Sequence, residues 1–506
     1  MEQARPILRM GAPVGVKTAA TRLPRSKGIK HWDCELRHAF LSIPEKEIKI
    51  IFKEIYHASK KRDFTYEREG RYDVINLLPL PLVASPEQIQ YLHKTCLLIK
   101  SALSKLIDLY LEHPEVREIL PLTEEEEAWI KDTWTRQHKK TRGIWSRLDF
   151  HFDIYHPNWK DTITFFEDNA VAVGGNHYVP TAEELITKIV LPRLKRANKN
   201  IILERNEDIR TLLCHEILHQ AEVIGRKRLN IAFAEDKTLI SGITEFPSLA
   251  EFYNKPPHQN LWCGGKKFGK RCEMKTYMVD PRELYLKGDE IYYKNHEIDI
   301  IYRDFELVEL FKMGKGEHVN AMKTAFKRNQ VISSVAGEID HKSCWEVLRD
   351  KRFAKIFKTL RDADILKHIP WTKIIRDIRT DSPDGKNVEL LNYIRRNKNS
   401  LILKPNRGYG GYGIVIGKDA SQSHWDEMID RGCVEYGKWI AQEYRKVSTK
   451  TFPALDESGD IVFEEFYTVY GLAGTPEGIG ILGRASQKKI VNVAQKGGIV
   501  AVLREG

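Results

Sequence analysis

The segment from Leu401 to Ile416, Leu-Ile-Leu-Lys-Pro-Asn-Arg-Gly-Tyr-Gly-Gly-Tyr-Gly-Ile-Val-Ile, constrains this chain more than any other. An apolar run ends in Lys404. Gly408, Gly410, Gly411 and Gly413 follow, and a second apolar run resumes at Ile414. Without a Cβ, glycine lets the backbone approach an anion closely and aim N–H groups at it. A lysine at the end of the strand adds a point charge for phosphate oxygens. The loop leads into a strand, whereas P-loops and dinucleotide-binding loops lead into a helix. The local pattern therefore predicts a strand–loop–strand phosphate cradle, and it leaves open a Gly-rich hairpin with an incidental lysine.

The rest of the chain must supply a frame for that loop. With 506 residues, 42% of them hydrophobic, it is long enough for a large core and two or three domains. Strands alternate with helices, which predicts an α+β or α/β protein. Residues 1–44 read as a poorly ordered basic tail and 45–140 as a helical region. Within that region Ser85 and Pro86 open one helix, and Thr123 caps another that starts with four glutamates. Residues 141–369 read as a central α/β portion. It has strands at 147–153 and 162–169, helices at 181–197 and 207–226, a Gly- and Lys-rich loop at 254–276, and a hairpin through Gly288 and Asp289. A break near Pro370 separates a strand- and Gly-rich portion, 370–506.

Composition excludes several classes. No apolar run approaches the ~20 residues of a membrane helix, and the N-terminus lacks the apolar core of a signal peptide. Seven cysteines, an odd number without a Cys-x-x-Cys pair, do not suggest a disulfide framework and fit a reducing cytoplasm. The net charge of +11 favours anionic partners such as nucleotides. No motif points to nucleic acid, so neither a nucleic-acid nor a membrane partner is expected.

Three further patterns bear on the loop. Lys438-Trp-Ile-Ala-Gln-Glu-Tyr444 reads as a half-buried strand. Gly483-Arg484 opens a stretch that runs through Asn492 to Gly497 and Gly498. Far upstream, Arg147-x-Asp149 and Glu167-x-Asn169 lie on successive strand patterns. Alternation puts each pair on one face of its strand, so neighbouring strands would gather all four side chains. Lys-Pro-x-x-Gly-x-Gly-Gly-x-Gly resembles the flexible loop of ATP-grasp enzymes. With the metal strands upstream, the order resembles circularly permuted ATP-grasp proteins, similar to the synthetase domain of glutathionylspermidine synthase and to uncharacterised bacterial proteins. The resemblance covers roughly residues 140–506.

That resemblance implies an ATP-grasp fold with permuted segment order, and an ADP-forming ligase that joins a carboxylate to an amine through an acylphosphate. It implies ATP and two Mg2+ ions. Asp149, Glu167 and Asn169 would bind the metal. Lys404, Arg407 and the loop glycines would hold the phosphates, with Lys373 as a second lysine. Gln442, Glu443 and Tyr444 would read the adenine and ribose. Arg147 would stabilise charge on the transferring group, and Arg484 would hold the γ-phosphate or a substrate carboxylate, as Arg282 and Arg303 could. Two other readings stay open. One is a nucleotide-binding module without turnover. The other is a zinc hydrolase built on His215-Glu216-x-x-His219, with Glu235 or Glu245 as third ligand.

Overall fold

The last strand of the chain, Gly498–Glu505, pairs in parallel with the first long one, Asn76–Ala84. In this computed structural model the described residues are 32–68, 70–226, 229–238, 242–243, 245–255, 274–408, 410–491 and 497–506. The Gly- and Lys-rich loop expected at 254–276 lies largely outside them. The eight-stranded sheet that results is built from β1 (Asn76–Ala84), β2 (Arg147–His151), β3 (Thr164–Asn169), β4 (Leu203–Glu204), β9 (Thr449–Leu455), β10 (Ile461–Thr475), β11 (Gly478–Ser486) and β12 (Gly498–Glu505). Its order is β1-β12-β11-β10-β2-β3, with β9 added beside β10 and β4 beside β12. A smaller antiparallel sheet, β5 (Thr372–Ile374), β8 (Trp439–Glu443), β6 (Leu401–Pro405) and β7 (Val415–Ile416), carries the glycine loop between β6 and β7. A four-stranded parallel sheet, 331–332, 300–303, 229–234 and 274–279, forms the middle of the chain.

Strand β1 reads Asn-Leu-Leu-Pro-Leu-Pro-Leu-Val-Ala and was expected to fall within a helical region. It is a buried strand at the margin of the large sheet. Prolines lack the ladder donor and are tolerated at such a margin, where only one neighbour needs bonds. Helix α1 (Trp32–Leu41) likewise occupies part of the expected tail, because Trp32, Leu36, Ala39 and Phe40 form a buried stripe. Helix α2 (Glu45–Lys61) buries Ile48, Ile51 and Ile55 at the same spacing. Ser85 and Gln88 form a reciprocal capping box at the start of α3 (Pro86–Leu103). Thr123 and Glu126 do the same for α4 (Glu124–Thr133).

Residues 370–506 are shared between two sheets. Trp371, Ile375, Leu390, Leu401, Leu403, Trp425 and Trp439 form a separate core under the small sheet. Residues 449–505 instead complete the large sheet beside β1, β2 and β3. Residues 32–506 make one compact unit. Among the described residues no helix is long and apolar enough to cross a membrane.

Candidate active-site cleft

Strand β2 lies between β10 and β3, so Asp149 stands opposite Gly471 on one side and Glu167 on the other. Arg147 stands opposite Asn169. Arg147, Asp149, Glu167 and Asn169 therefore share one face of the sheet, as alternation predicted. Gly471 is required by this packing. A Cβ there would sit 2.6 Å from Arg147 Cδ and 2.8 Å from its Nε.

Arg147 lies flat across that glycine and donates from Nε to Asp149 Oδ1 at 2.8 Å. Arg484, on β11, reaches Asp149 Oδ2 at 2.8 Å. Asp149 is only 3% exposed. Burial alone would raise its carboxyl, but the Arg147 and Arg484 guanidiniums pull it down to about 2.

Across from this face, the small sheet supplies Lys404 and Gln442 from its antiparallel strands β6 and β8. Lys404 Nζ donates to Gln442 Oε1 at 2.8 Å and lies 5.2 Å from the centroid of the Phe166 ring. Burial drives the Lys404 ammonium down to about 8, against the pull of Glu167. Gln442 Nε2 donates in turn to Thr372 Oγ1 at 3.0 Å, which fixes the amide. Glu443 accepts from Arg445 at 3.0 Å, and Lys418 Nζ sits 4.4 Å from the centre of the Tyr444 ring. Gly408, Gly410 and Gly411 have φ of +116°, +77° and +68°, a conformation that side-chain-bearing residues rarely adopt.

These parts line one cleft between the two sheets: Asp149, Glu167, Lys404, Gly408, Gly410, Gly411, Gln442, Glu443, Tyr444 and Arg484 all border it. Lys342 borders it too and was not anticipated. Its Nζ lies 3.0 Å from Glu167 Oε2 and donates to the Gly408 carbonyl at 3.1 Å, tying β3 to the glycine loop. Tyr412, Tyr467 and Lys489 complete the wall.

Other expected site residues lie elsewhere. Alternation turns Lys373 away from its neighbour Thr372 and toward Glu346, at 3.4 Å, in a separate basic cavity. Arg407 faces out of the loop to Glu126 at 2.7 Å and Glu306 at 2.8 Å. The carboxylate that caps α4 thus anchors the base of the loop. Gly413 packs beside Pro405 and Trp439 and does not border the cleft. Asn169 shares the face of Asp149 and Glu167, but its amide donates to the Arg147 carbonyl at 3.4 Å and it does not line the cleft. Arg282 is held by Asp280 and Asp236. Arg303 is fully buried against Glu338 at 2.5 Å and the Ser333 carbonyl.

The His215-Glu216-x-x-His219 segment lies on α6 (Ile209–Val223) and borders a different cavity. Glu245 is engaged elsewhere. Its carboxylate accepts the backbone N–H groups of Gly175, Asn176, His177 and Tyr178, at the start of α5 (Tyr178–Leu185). Neither Glu245 nor Glu235 borders the His215 cavity. Among the described residues no three His, Cys, Asp or Glu side chains converge to hold a metal ion.

No family model matches the chain. Uncharacterised proteins of Mycobacterium tuberculosis and Mycobacterium bovis are 29% identical to it over 189 residues, which is 35% of this chain and 31% of theirs. One from Mycobacterium leprae matches to the same extent. The chain thus spans about a third of the length of the curated relatives it matches. Among solved structures, a glutathione synthetase-like effector from Globodera pallida, in its apo form, superposes with a TM-score of 0.60 over 91% of this chain and 98% of that one, at 8% identity. The likeness is one of fold: this chain has the mixed α+β architecture of a glutathione synthetase-like protein.

Proposed function

We propose that this chain is an ATP- and Mg2+-dependent carboxylate–amine ligase of the ATP-grasp type, with its metal strands placed before its glycine loop. The observation that carries the reading is the convergence of Asp149 and Glu167 with Lys404, Lys342 and the glycine loop on one cleft. These segments are far apart in sequence, and phosphoryl transfer from ATP needs the chemistry of all of them.

The donor set fits the cofactor. Glu167 and Asp149 offer hard carboxylate oxygens, which suit Mg2+, and Lys342 already places a cation against Glu167. Bound Mg2+ would neutralise phosphate charge during transfer. Lys404 and Lys342 would hold phosphate oxygens, with the N–H groups of the loop around them. Gln442, Glu443 and Tyr444 would position the base and ribose. Arg484 would face the transferring group from β11, with Arg147 behind Asp149 keeping that carboxylate charged and oriented. Closure of the loop would exclude water from an acylphosphate that otherwise hydrolyses. A reducing cytoplasm is the compartment we propose, and no nucleic-acid partner is invoked.

A second reading, nucleotide binding without turnover, has one observation in its favour. Both oxygens of Asp149 already accept from guanidiniums. ADP release separates the two. Purified protein with ATP and Mg2+ is assayed against pools of amino acids, short peptides and amines. Release that depends on a pool and vanishes in Glu167→Gln supports the ligase. ATP binding with no release from any pool favours the module, and absence of ATP binding removes both.

A further inference from the structure

Asp168 is 7% exposed, and its Oδ1 has no hydrogen-bond partner. It stands on β3 between Glu167 and Asn169 and so points to the opposite side of the sheet from the cleft. There it borders a second cavity of about 380 Å3, a volume typical of small-molecule sites. That cavity lies at the end of the large sheet, where the turn between β10 and β11 passes between α3 and α6. It shares no lining residue with the cleft.

The cavity is rich in acceptors. Asp168, Asp340, Glu216 and Glu477 border it, together with His215 and His219. Asp340 spends one oxygen on the Ala170 N–H at 2.8 Å. The cations at the rim are already engaged. Lys100 donates to the Gly474 carbonyl at 2.8 Å and lies over the Trp145 ring. Arg142 is bonded to Asp108 at 2.5 Å and to the carbonyls of Ser104 and His138. Burial pushes the Asp340 carboxyl up to about 8 and raises Glu216 as well, with Lys100 the strongest opposing charge on Glu216. What this lining lacks is a multiply donating cation. A metal ion does not meet that need, since no three of these side chains converge on a point among the described residues. The four carboxyls come from separate segments, Asp168 on β3, Glu216 on α6, Asp340 near Lys342 and Glu477 in the β10–β11 turn. Such an arrangement suits a ligand with separate ammonium groups, each taking its own carboxylates.

We propose that this cavity is a binding site for a small organic diamine, distinct from the nucleotide cleft and independent of the ligase reading. The test is isothermal titration of the full chain with 1,5-diaminopentane, with 1-aminopentane and 1,5-pentanediol as single-charge and uncharged controls. The expected result is one saturable site for the diamine, with the diol silent and the monoamine at least about tenfold weaker. Glu216→Gln and Asp340→Asn each weaken the diamine by about tenfold. Glu477→Gln, at the exposed mouth, weakens it by about threefold and keeps the test valid if a more buried variant misfolds. Lys404→Ala leaves it unchanged. The proposal is overturned if folded protein takes up no diamine. It is equally overturned if the diamine is displaced by ATP or lost in Lys404→Ala while surviving Glu216→Gln. Stoichiometric zinc that the diamine cannot displace would also end it.

Discussion

Asp149 and Asp168 stand on paired strands, both almost fully buried, yet their carboxyls differ sharply. Asp149 is held down at about 2 and Asp168 is pushed up to about 7. Burial acts on both in the same direction. The difference is the company each keeps. Asp149 has two guanidiniums in contact, whereas Asp168 has Lys100 at a distance and a bond from Ser146. The same residue type is thus a fixed anion on the cleft side of the sheet and a titratable group on the other. Depth alone does not decide charge; the partner does.

The largest effect that would sharpen this contrast is on stability. Asp149→Ala leaves Arg147 and Arg484 buried without their carboxylate and is expected to cost about 3–5 kcal/mol in urea unfolding. Asp168→Asn, measured at pH 4 where the folded Asp168 carboxyl is already neutral, is expected to change stability by about 1 kcal/mol or less. Equal costs would dissolve the distinction. The pH dependence has opposite signs. Asp149 has a depressed folded pKa, so its contribution is present above the unfolded value of about 4 and fades as pH falls through about 2. Asp168 has a raised one, so its contribution is present below about 4 and is lost as pH rises through about 7. Urea midpoints measured from pH 4 to 7 should therefore flatten in Asp168→Asn.

Next in size, Lys404→Ala is expected to weaken ATP on the order of 100-fold by fluorescence or calorimetric titration. In the wild type, affinity should already decline as pH rises through about 8, where the buried ammonium loses its proton. Unchanged affinity across pH 7–9 would remove Lys404 from phosphate binding. Gly471→Ala forces Arg147 aside and should cost about 1–3 kcal/mol and lower turnover with it. The smallest effect concerns Lys373→Ala. Its side chain serves Glu346 outside the cleft, so ATP affinity should move by no more than about threefold. A large loss there would restore Lys373 to the site.

Much of the cleft could be read in the sequence because it depends on alternation and loop chemistry. Arg147, Asp149, Glu167 and Asn169 were put on common faces by period-two counting, and their strands pair in the register that joins those faces. The glycine loop announced itself by composition. Gln442-Glu443-Tyr444 read alone as an ordinary half-buried strand and drew notice through its resemblance to the ATP-grasp hinge strand at that spacing after the loop. Lys342 did not. It follows a short helical segment with no local motif, one among 81 lysines and arginines, and only the approach of that segment to β3 gives it a role. Arg407 looked like part of the phosphate cradle because it adjoins the glycines. Its direction is set by Glu126 and Glu306, which come from distant elements. Strand β1 was hidden by its two prolines, which are adverse in a strand taken alone and acceptable only at a sheet margin. The division of residues 370–506 between two sheets is likewise a matter of long-range pairing that no local window contains.

That pairing has a consequence for how the molecule comes into being. β12 lies between β1 and β11, so the large sheet stays open until residues several hundred positions after β1 have emerged from the ribosome. Until then the leucine-rich edge of β1 has no partner and offers its ladder groups to any passing strand. Contacts of such long sequence separation form slowly, and their waiting intermediates are prone to aggregation. Completion of the sheet is therefore a late event in biogenesis, and the partly built sheet is the stage at which a chaperone would have most to protect.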